Sequence, residues 1–250
     1  AEPSVSVFTE YPVPGRMHWK QIGGDSVSSS KIFPSAAKAI ADISDGAIVM
    51  IGGYAVPGTP QGLVSALISK GARDLTCISG PWYGGGAGLI DVSSLVAGGQ
   101  VKRIITATPI DKDSLVPVLD RQREGTLEFE IVSQGTLAER IRAAGAGLGA
   151  VLLPAGEGTA IYPAKGTHII NGVACTLETP LRADFALIRA HKADSLGNLV
   201  YRRAQRNWNP TMATAAHVTI AEVDEILEPG DLDAELVISP SIYVNRIVEV

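Results

Sequence analysis

The stretch Asp45-Gly46-Ala47-Ile48-Val49-Met50-Ile51-Gly52-Gly53-Tyr54-Ala55-Val56-Pro57-Gly58-Thr59-Pro60 decides the fold. Its centre, Ala47 to Ile51, is an unbroken apolar run of strand length, as expected for a strand covered on both faces. The run stops at Gly52-Gly53. Gly58 and Pro60 then lead into Gln61 to Lys70, where Leu63, Leu67 and Ile68 share a helical face. A strand, a glycine turn and a helix place free backbone N–H groups and a helix N-terminus at the carboxyl edge of a sheet, where anionic ligands bind in open α/β folds. The same residues also describe a plain strand-to-helix turn, and the stretch alone does not separate the two.

The pattern repeats on either side. Ala36, Ala37, Ile40 and Ile43 predict a short amphipathic helix over Pro34 to Ile43. Leu75 to Ile78, Val101 to Ala107, Leu127 to Val132 and Ala150 to Leu153 read as strands. A glycine-rich loop, Ser79 to Gly88, follows the first of these. Leu115, Val116, Val118 and Leu119 predict a short helix, and Leu137 to Ala144 a longer one after the turn Gln134-Gly135-Thr136. Thr167 to Ile170 and Val173 to Leu177 read as a hairpin within Gly156 to Pro180. Phe185 to His191, Asn198 to Tyr201, Val218 to Val223 and Ile242 to Val248 read as further strands. Alternation of this kind predicts an α/β fold with an open, mostly parallel central sheet and flanking helices. No linker divides it. Residues 1–30, rich in Ser, Pro and Gly, are expected to be an N-terminal arm, and 31–250 one domain.

Composition excludes several classes. Of 250 residues, 46% are hydrophobic and 19% charged, which a disordered chain cannot be. At this size roughly 75% of the unfolded surface is buried on folding, so no disulfide or metal staple is needed. The net charge of −5 argues against a nucleic-acid partner. No apolar run approaches the about 20 residues of a membrane span, and the start lacks the pattern of a signal peptide. Cys77 and Cys175 are far apart and in apolar surroundings, so two buried thiols in a reducing cytoplasm are expected. No metal site is expected: the four histidines form no ligand cluster with Cys, Asp or Glu.

Four stretches, the opening one among them, carry a resemblance. Asp45 to Pro60 has the pattern acid-glycine, two spacers, three apolar residues, Gly-Gly-aromatic, three spacers, Gly-x-Pro. Val132 to Ala150 reads VSQGTLAERIRAAGAGLGA, and Ala183 to Ala216 reads ADFALIRAHKADSLGNLVYRRAQRNWNPTMATAA. With Ser239 to Val244, these resemble, in order, the motifs of the A-type subunit of family I CoA-transferases, the 3-oxoacid type. The third stretch is most similar to the 3-oxoadipate branch. Tyr54 stands where the family usually has Phe. The resemblance spans about residues 31 to 250.

It implies half of an enzyme, with CoA moved from a donor such as succinyl-CoA to a 3-oxo or related carboxylic acid. The nucleophilic glutamate is expected on a partner, the B-type subunit, in a hetero-oligomer, so no catalytic residue is assigned here. Coenzyme A is a substrate, and no cofactor is required. The chemistry is nucleophilic catalysis by a carboxylate, with donors stabilising the oxyanion.

Gln134 is the leading substrate-binding candidate. The resemblance carries a pocket role onto it, and its amide can donate to a thioester or carboxylate oxygen; otherwise it caps the helix. Ser79 and Gly80 stand near the place where the family often has an acid-contacting Asn pair, and Trp82 and Tyr83 follow, which suggests a wider or more apolar acid pocket. Asn207 is a further polar candidate. Gly52, Gly53 and Gly58 are expected to form the CoA-facing loop. Glu157 replaces a Tyr of the family and is expected to be a solvated loop carboxylate. Arg202, Arg203 and Arg206 beside Trp208 suit either ion pairs or contact with a carboxylate or partner. His191 and Lys192 fall at a strand end near the site, while His18, His168 and His217 read as structural. Two other functions remain: a CoA-transferase-like acyl-CoA hydrolase, and a ligand-sensing module. The second lacks a DNA-binding helix pair in its first 30 residues.

Overall fold

The computed structural model describes residues 30–82, 88–107, 116–154 and 167–250. The N-terminal arm, His18, Tyr83 and Glu157 lie outside them. Helix α1 (Ala36–Ala39) is capped by Ser35, whose hydroxyl accepts from Lys38 N. It is shorter than Pro34 to Ile43, because the chain tightens into a turn that closes on Ile43. β1 (Ile48–Ile51), α2 (Gln61–Lys70), β2 (Leu75–Ser79), α3 (Val92–Ala97), β3 (Val101–Thr106), α4 (Val116–Arg123) and β4 (Glu128–Ile131) follow. Gly71, at φ +75°, ends α2 in the left-handed cap that helices commonly use.

Beyond β4 come α5 (Gln134–Gly145) and a small antiparallel sheet of β5 (Val151–Leu153), β6 (Thr167–Ile170) and β7 (Val173–Glu178). The expected hairpin is present. Asn171 and Gly172, both at positive φ, make the tight turn between β6 and β7. The chain then returns as β8 (Ala183–Arg189), β9 (Lys192–Asp194), β10 (Leu199–Val200), α6 (Asn209–Thr214), β11 (Ala216–Val223), β12 (Glu225–Leu227) and β13 (Arg246–Glu249). β9, β10 and β12 form a second small sheet.

The central sheet has the order β13-β11-β8-β1-β2-β3-β4, and every adjacent pair is parallel. This is the open parallel sheet the sequence predicts. Val49, Met50 and Ile51 are buried, so the apolar run at 47–51 is covered on both faces. One face carries Val49, Ile51, Cys77, Ile104 and Leu187 under α1, α2 and α3. The other carries Met50, Ile78, Ile105, Ile188 and Val223 under α5 and α6.

Two short helices, α3 and α6, stand where the sequence reading placed no element. The strand expected over Ile242 to Val248 is also corrected. Pro240 opens a 3-10 turn at Ser241–Tyr243, with Tyr243 N donating to Pro240 O at 3.0 Å. Pairing starts only at Arg246. Both cysteines are free and buried, and burial pushes the Cys77 thiol up to about 12, far from a reactive thiolate. Among the described residues, no helix is long and apolar enough to cross a membrane, and no group of three or more His, Cys, Asp or Glu could hold a metal.

Candidate functional site

From β1 the chain steps outward through β2, β3 and β4, then returns to the other side of β1 as β8. The carboxyl ends of β1 and β8 are therefore the topological switch point of the sheet, the usual ligand crevice of such folds. Here the crevice is filled. Gly52 N continues the ladder to Leu187 O at 2.9 Å. Over it sits Asn209, the first residue of α6 and fully buried. Its Oδ1 accepts from Arg189 N at 3.2 Å, and its Nδ2 donates to Gly58 O at 3.0 Å and Gln205 O at 2.8 Å. A Cβ at Gly52 would lie 1.8 Å from Asn209 Oδ1, and one at Gly58 would lie 2.5 Å from its Nδ2.

The loop between β1 and α2 is compact. Thr59 donates to Ala55 O at 2.7 Å, Tyr54 N to Pro57 O at 3.0 Å, and Ala55 N to Pro81 O at 3.1 Å, which ties it to the loop after β2. Gly53 is at φ +103°, and a Cβ there would reach within 2.8 Å of the Thr59 Cα, so only glycine fits. Pro60 precedes α2 and offers no side-chain cap. The cap comes from across the sheet: the buried Glu222 carboxylate on β11 accepts from Leu63 N at 2.8 Å. Its charge suits the positive end of the helix. Arg189 bridges Glu222 and Asp224, and His191 Nδ1 pairs with Asp224 Oδ2 at 2.8 Å. Burial raises the Asp224 carboxyl, but hydrogen bonds from His191 and Arg189 outweigh it and hold it below the usual carboxylate range. Lys192 pairs with Glu225 at 2.6 Å.

Ser79 ends β2 and Gly80 follows it. Both are buried. The Ser79 hydroxyl donates to Gly80 O at 2.9 Å. A Cβ at Gly80 would stand 2.2 Å from Trp208 Nε1, so the Trp208 ring takes the space of a side chain there. Trp82 does not line an open pocket: it is 1% exposed and packs in the α1–α3 core, because an indole that follows Pro81 inward buries more surface than one left at the edge.

At the end of β4 the setting changes. Ser133 caps α5, its hydroxyl accepting from Thr136 N at 3.3 Å. Gln134 is therefore not the cap. It is the exposed first residue of the helix, with its side chain available at the edge. One strand, β3, separates its strand from that of Ser79, a spacing of about 10 Å. Asn207 is half-buried. Its Nδ2 donates to Pro57 O at 2.8 Å and Ala204 O at 2.6 Å, and its Oδ1 accepts from Trp208 N at 2.6 Å. Arg202, Arg203 and Arg206 are exposed, as are His168 and His217.

The fold thus gathers Gly52, Gly58 and Gly80, with their neighbours Gly53 and Ser79, around residues 207–209, and sets Gln134 on a different strand end, exposed. Asn209, Glu222 and Arg189 were missed by sequence reasoning. Their nearest signal was the glycines themselves, which demand something close by without naming it.

Comparison with known proteins gives the family. The profile of the Coenzyme A transferase family matches residues 33–250. The chain is 46% identical over 221 residues to the A-type subunit of 3-oxoadipate CoA-transferase from Pseudomonas putida, covering 88% of this chain and 94% of that protein. It is 41% identical to the alpha subunit of acetate CoA-transferase from Escherichia coli, over 82% of this chain and 90% of that one. Among solved structures, glutaconate coenzyme A-transferase from Acidaminococcus fermentans shares the fold, with a TM-score of 0.72 at 23% identity, over 88% of this chain and 75% of that one.

Proposed function

The chain belongs to the Coenzyme A transferase family, as an A-type subunit of family I, and we propose that it works in the cytoplasm with a B-type subunit to move CoA from a donor such as succinyl-CoA onto 3-oxoadipate or a related 3-oxo acid. The observation that carries the acid class is the 46% identity, along nearly the whole chain, to the A-type subunit of a 3-oxoadipate CoA-transferase. In this reading a glutamate of the B-type partner attacks the thioester carbonyl and expels the CoA thiolate. This leaves a mixed anhydride between donor acid and glutamate; the thiolate then attacks its glutamyl carbonyl, giving a glutamyl-CoA thioester and releasing the donor acid as its carboxylate. The acceptor acid repeats both steps in reverse.

The part of this chain is to hold the acid and steady the oxyanion. Gln134 is the donor proposed to face the thioester or carboxylate oxygen, since it stands exposed at the N-terminal end of a twelve-residue helix. Ser79 and Gly80 bound the acid pocket. Gly52, Gly53 and Gly58 form the loop on its CoA side. Asn207 braces that loop through Pro57.

The test is CoA transfer from succinyl-CoA to 3-oxoadipate, by this chain alone and with its B-type partner. Transfer only with the partner, falling at least 10-fold in Gln134→Ala, supports the reading. Transfer by the chain alone puts the nucleophile on this chain and makes Glu157 the first residue to change. Thioester loss to water without an acceptor acid makes the enzyme a hydrolase instead.

A further inference from the structure

We propose that Asn209 is a positioning residue for CoA transfer: its buried amide closes the crevice between the carboxyl ends of β1 and β8 and sets the 52–59 loop. The functional half of this rests on the reading of that loop as part of the transfer site.

In an open parallel sheet the switch point is empty ground, and a ligand takes it. Here a side chain of the protein takes it. Asn209 is 0% exposed and reaches three separate pieces of chain: the loop after β1 through Gly58 O, the end of β8 through Arg189 N, and the turn before α6 through Gln205 O. Both amide hydrogens and the oxygen are used, as a buried amide requires. The glycines answer to it. With Asn209 in place, neither position 52 nor position 58 has room for a Cβ. Asn207, two residues away, holds Pro57 of the same loop. Two side chains of one short segment thus hold the loop by two successive carbonyls.

A purely apolar filler would occupy the crevice equally well but would leave Gly58 O and Arg189 N unpaired. The amide is what couples loop position to the end of β8. Asp at 209 keeps the size and the acceptor for Arg189 N, loses both donors, and turns a carboxylate oxygen toward the Gly58 and Gln205 carbonyls. It perturbs the loop with little change in packing.

The experiment compares N209D and N209A with V96A, a buried α3 change outside the site, each assembled with the B-type partner. Two quantities are read: kcat and KM for succinyl-CoA transfer, and amide hydrogen exchange over residues 54–59. For N209D we expect kcat to fall about 10- to 100-fold with KM for the donor within about 2-fold, and faster exchange in the loop. V96A lowers Tm but changes neither quantity by more than about 2-fold. If N209A does not fold, N209D carries the test. Wild-type kcat and loop exchange in N209D overturn the proposal, and so does an equal loss of kcat in V96A. If the wild-type pair transfers no CoA, the functional reading falls by itself, and loop exchange in N209D still decides whether Asn209 sets the loop.

Discussion

The two halves of the carboxyl edge are built on opposite terms. Around β1, β8 and β11, glycine backbone, a buried amide and paired charges fill the space, and the chain has no slack. At the end of β4 the described residues are less crowded: Ser133 caps a helix, Gln134 is exposed, and Gly135 has nothing within 4 Å of where a Cβ would be. A binding edge needs both. The crowded half fixes geometry, and the β4 end keeps the polar side chain of Gln134 exposed. The same change should therefore have opposite consequences on the two sides.

Gly52→Ala against Gly135→Ala is the sharpest form of that contrast. The first drives a methyl to 1.8 Å from Asn209 Oδ1, so α6 or the end of β1 must move. Overpacking of this severity costs about 3 kcal/mol or more. The second adds a methyl in open space at a helical position and is expected to stabilise by about 0.5 kcal/mol. Urea unfolding midpoints of the two variants decide it. Equal and small effects would mean that the two halves are packed alike.

Glu222→Ala probes the crowded half through charge. It removes the acceptor for Leu63 N and half of the support of Arg189, in a buried setting, while Asp224 still pairs with the guanidinium. The expected loss is about 2–3 kcal/mol, less than the 3–5 kcal/mol of a fully isolated buried pair because Arg189 keeps a partner and some solvent. Gly62→Ala is predicted to become cheaper in that background, since the atom nearest its Cβ is Glu222 Oε2 at 2.7 Å. A double-mutant cycle on thermal unfolding measures that relief. Strict additivity would mean that Glu222 does not crowd the start of α2.

The contrast also explains what could be read from residues alone. Strands buried on both faces announce themselves as unbroken apolar runs, so Ala47 to Ile51 and Phe185 to Ile188 were plain. Helices α3 and α6 have only six residues each, too few for periodicity to speak. The three-residue β12 and the 3-10 turn at Ser241–Tyr243 were lost for the same reason. The position of Gln134 was legible because its setting is local: a strand end, a turn, a helix. Asn209 was not, because its partner Gly58 lies 151 positions away, and only the return of the chain to the other side of β1 brings them together. Glu222 and Arg189 meet because the β11–β8 register pairs those two residues. The open half of the edge is written in neighbouring residues. The crowded half is written in topology.

The mildest test asks whether the charges of the two halves differ as their packing does. Asp224 on the crowded side and Glu130 on the open side are both held below the usual carboxylate range against the opposing effect of burial, Asp224 by His191 and Arg189, Glu130 by Arg103 and Arg140. A carboxyl lowered in the folded state contributes stability that is present above its unfolded pKa, about 4, and is lost as pH falls through the lower folded value. Wild type should therefore be more stable than Asp224→Asn and Glu130→Gln near pH 7, and each difference should shrink below about pH 4. Urea midpoints taken from about pH 7 down to about pH 3 give both differences. Each should be small, since both carboxylates keep contact with solvent. What separates the halves is coupling. Asp224 shares Arg189 with Glu222, whereas Arg103 and Arg140 both converge on Glu130. Combined with Glu222→Ala, Asp224→Asn should cost more than it does alone, because Arg189 is then left without a carboxylate. Glu130→Gln in the same background should simply add. If both combinations add, the charges at the β8–β11 end act singly, and only steric crowding distinguishes that half of the edge.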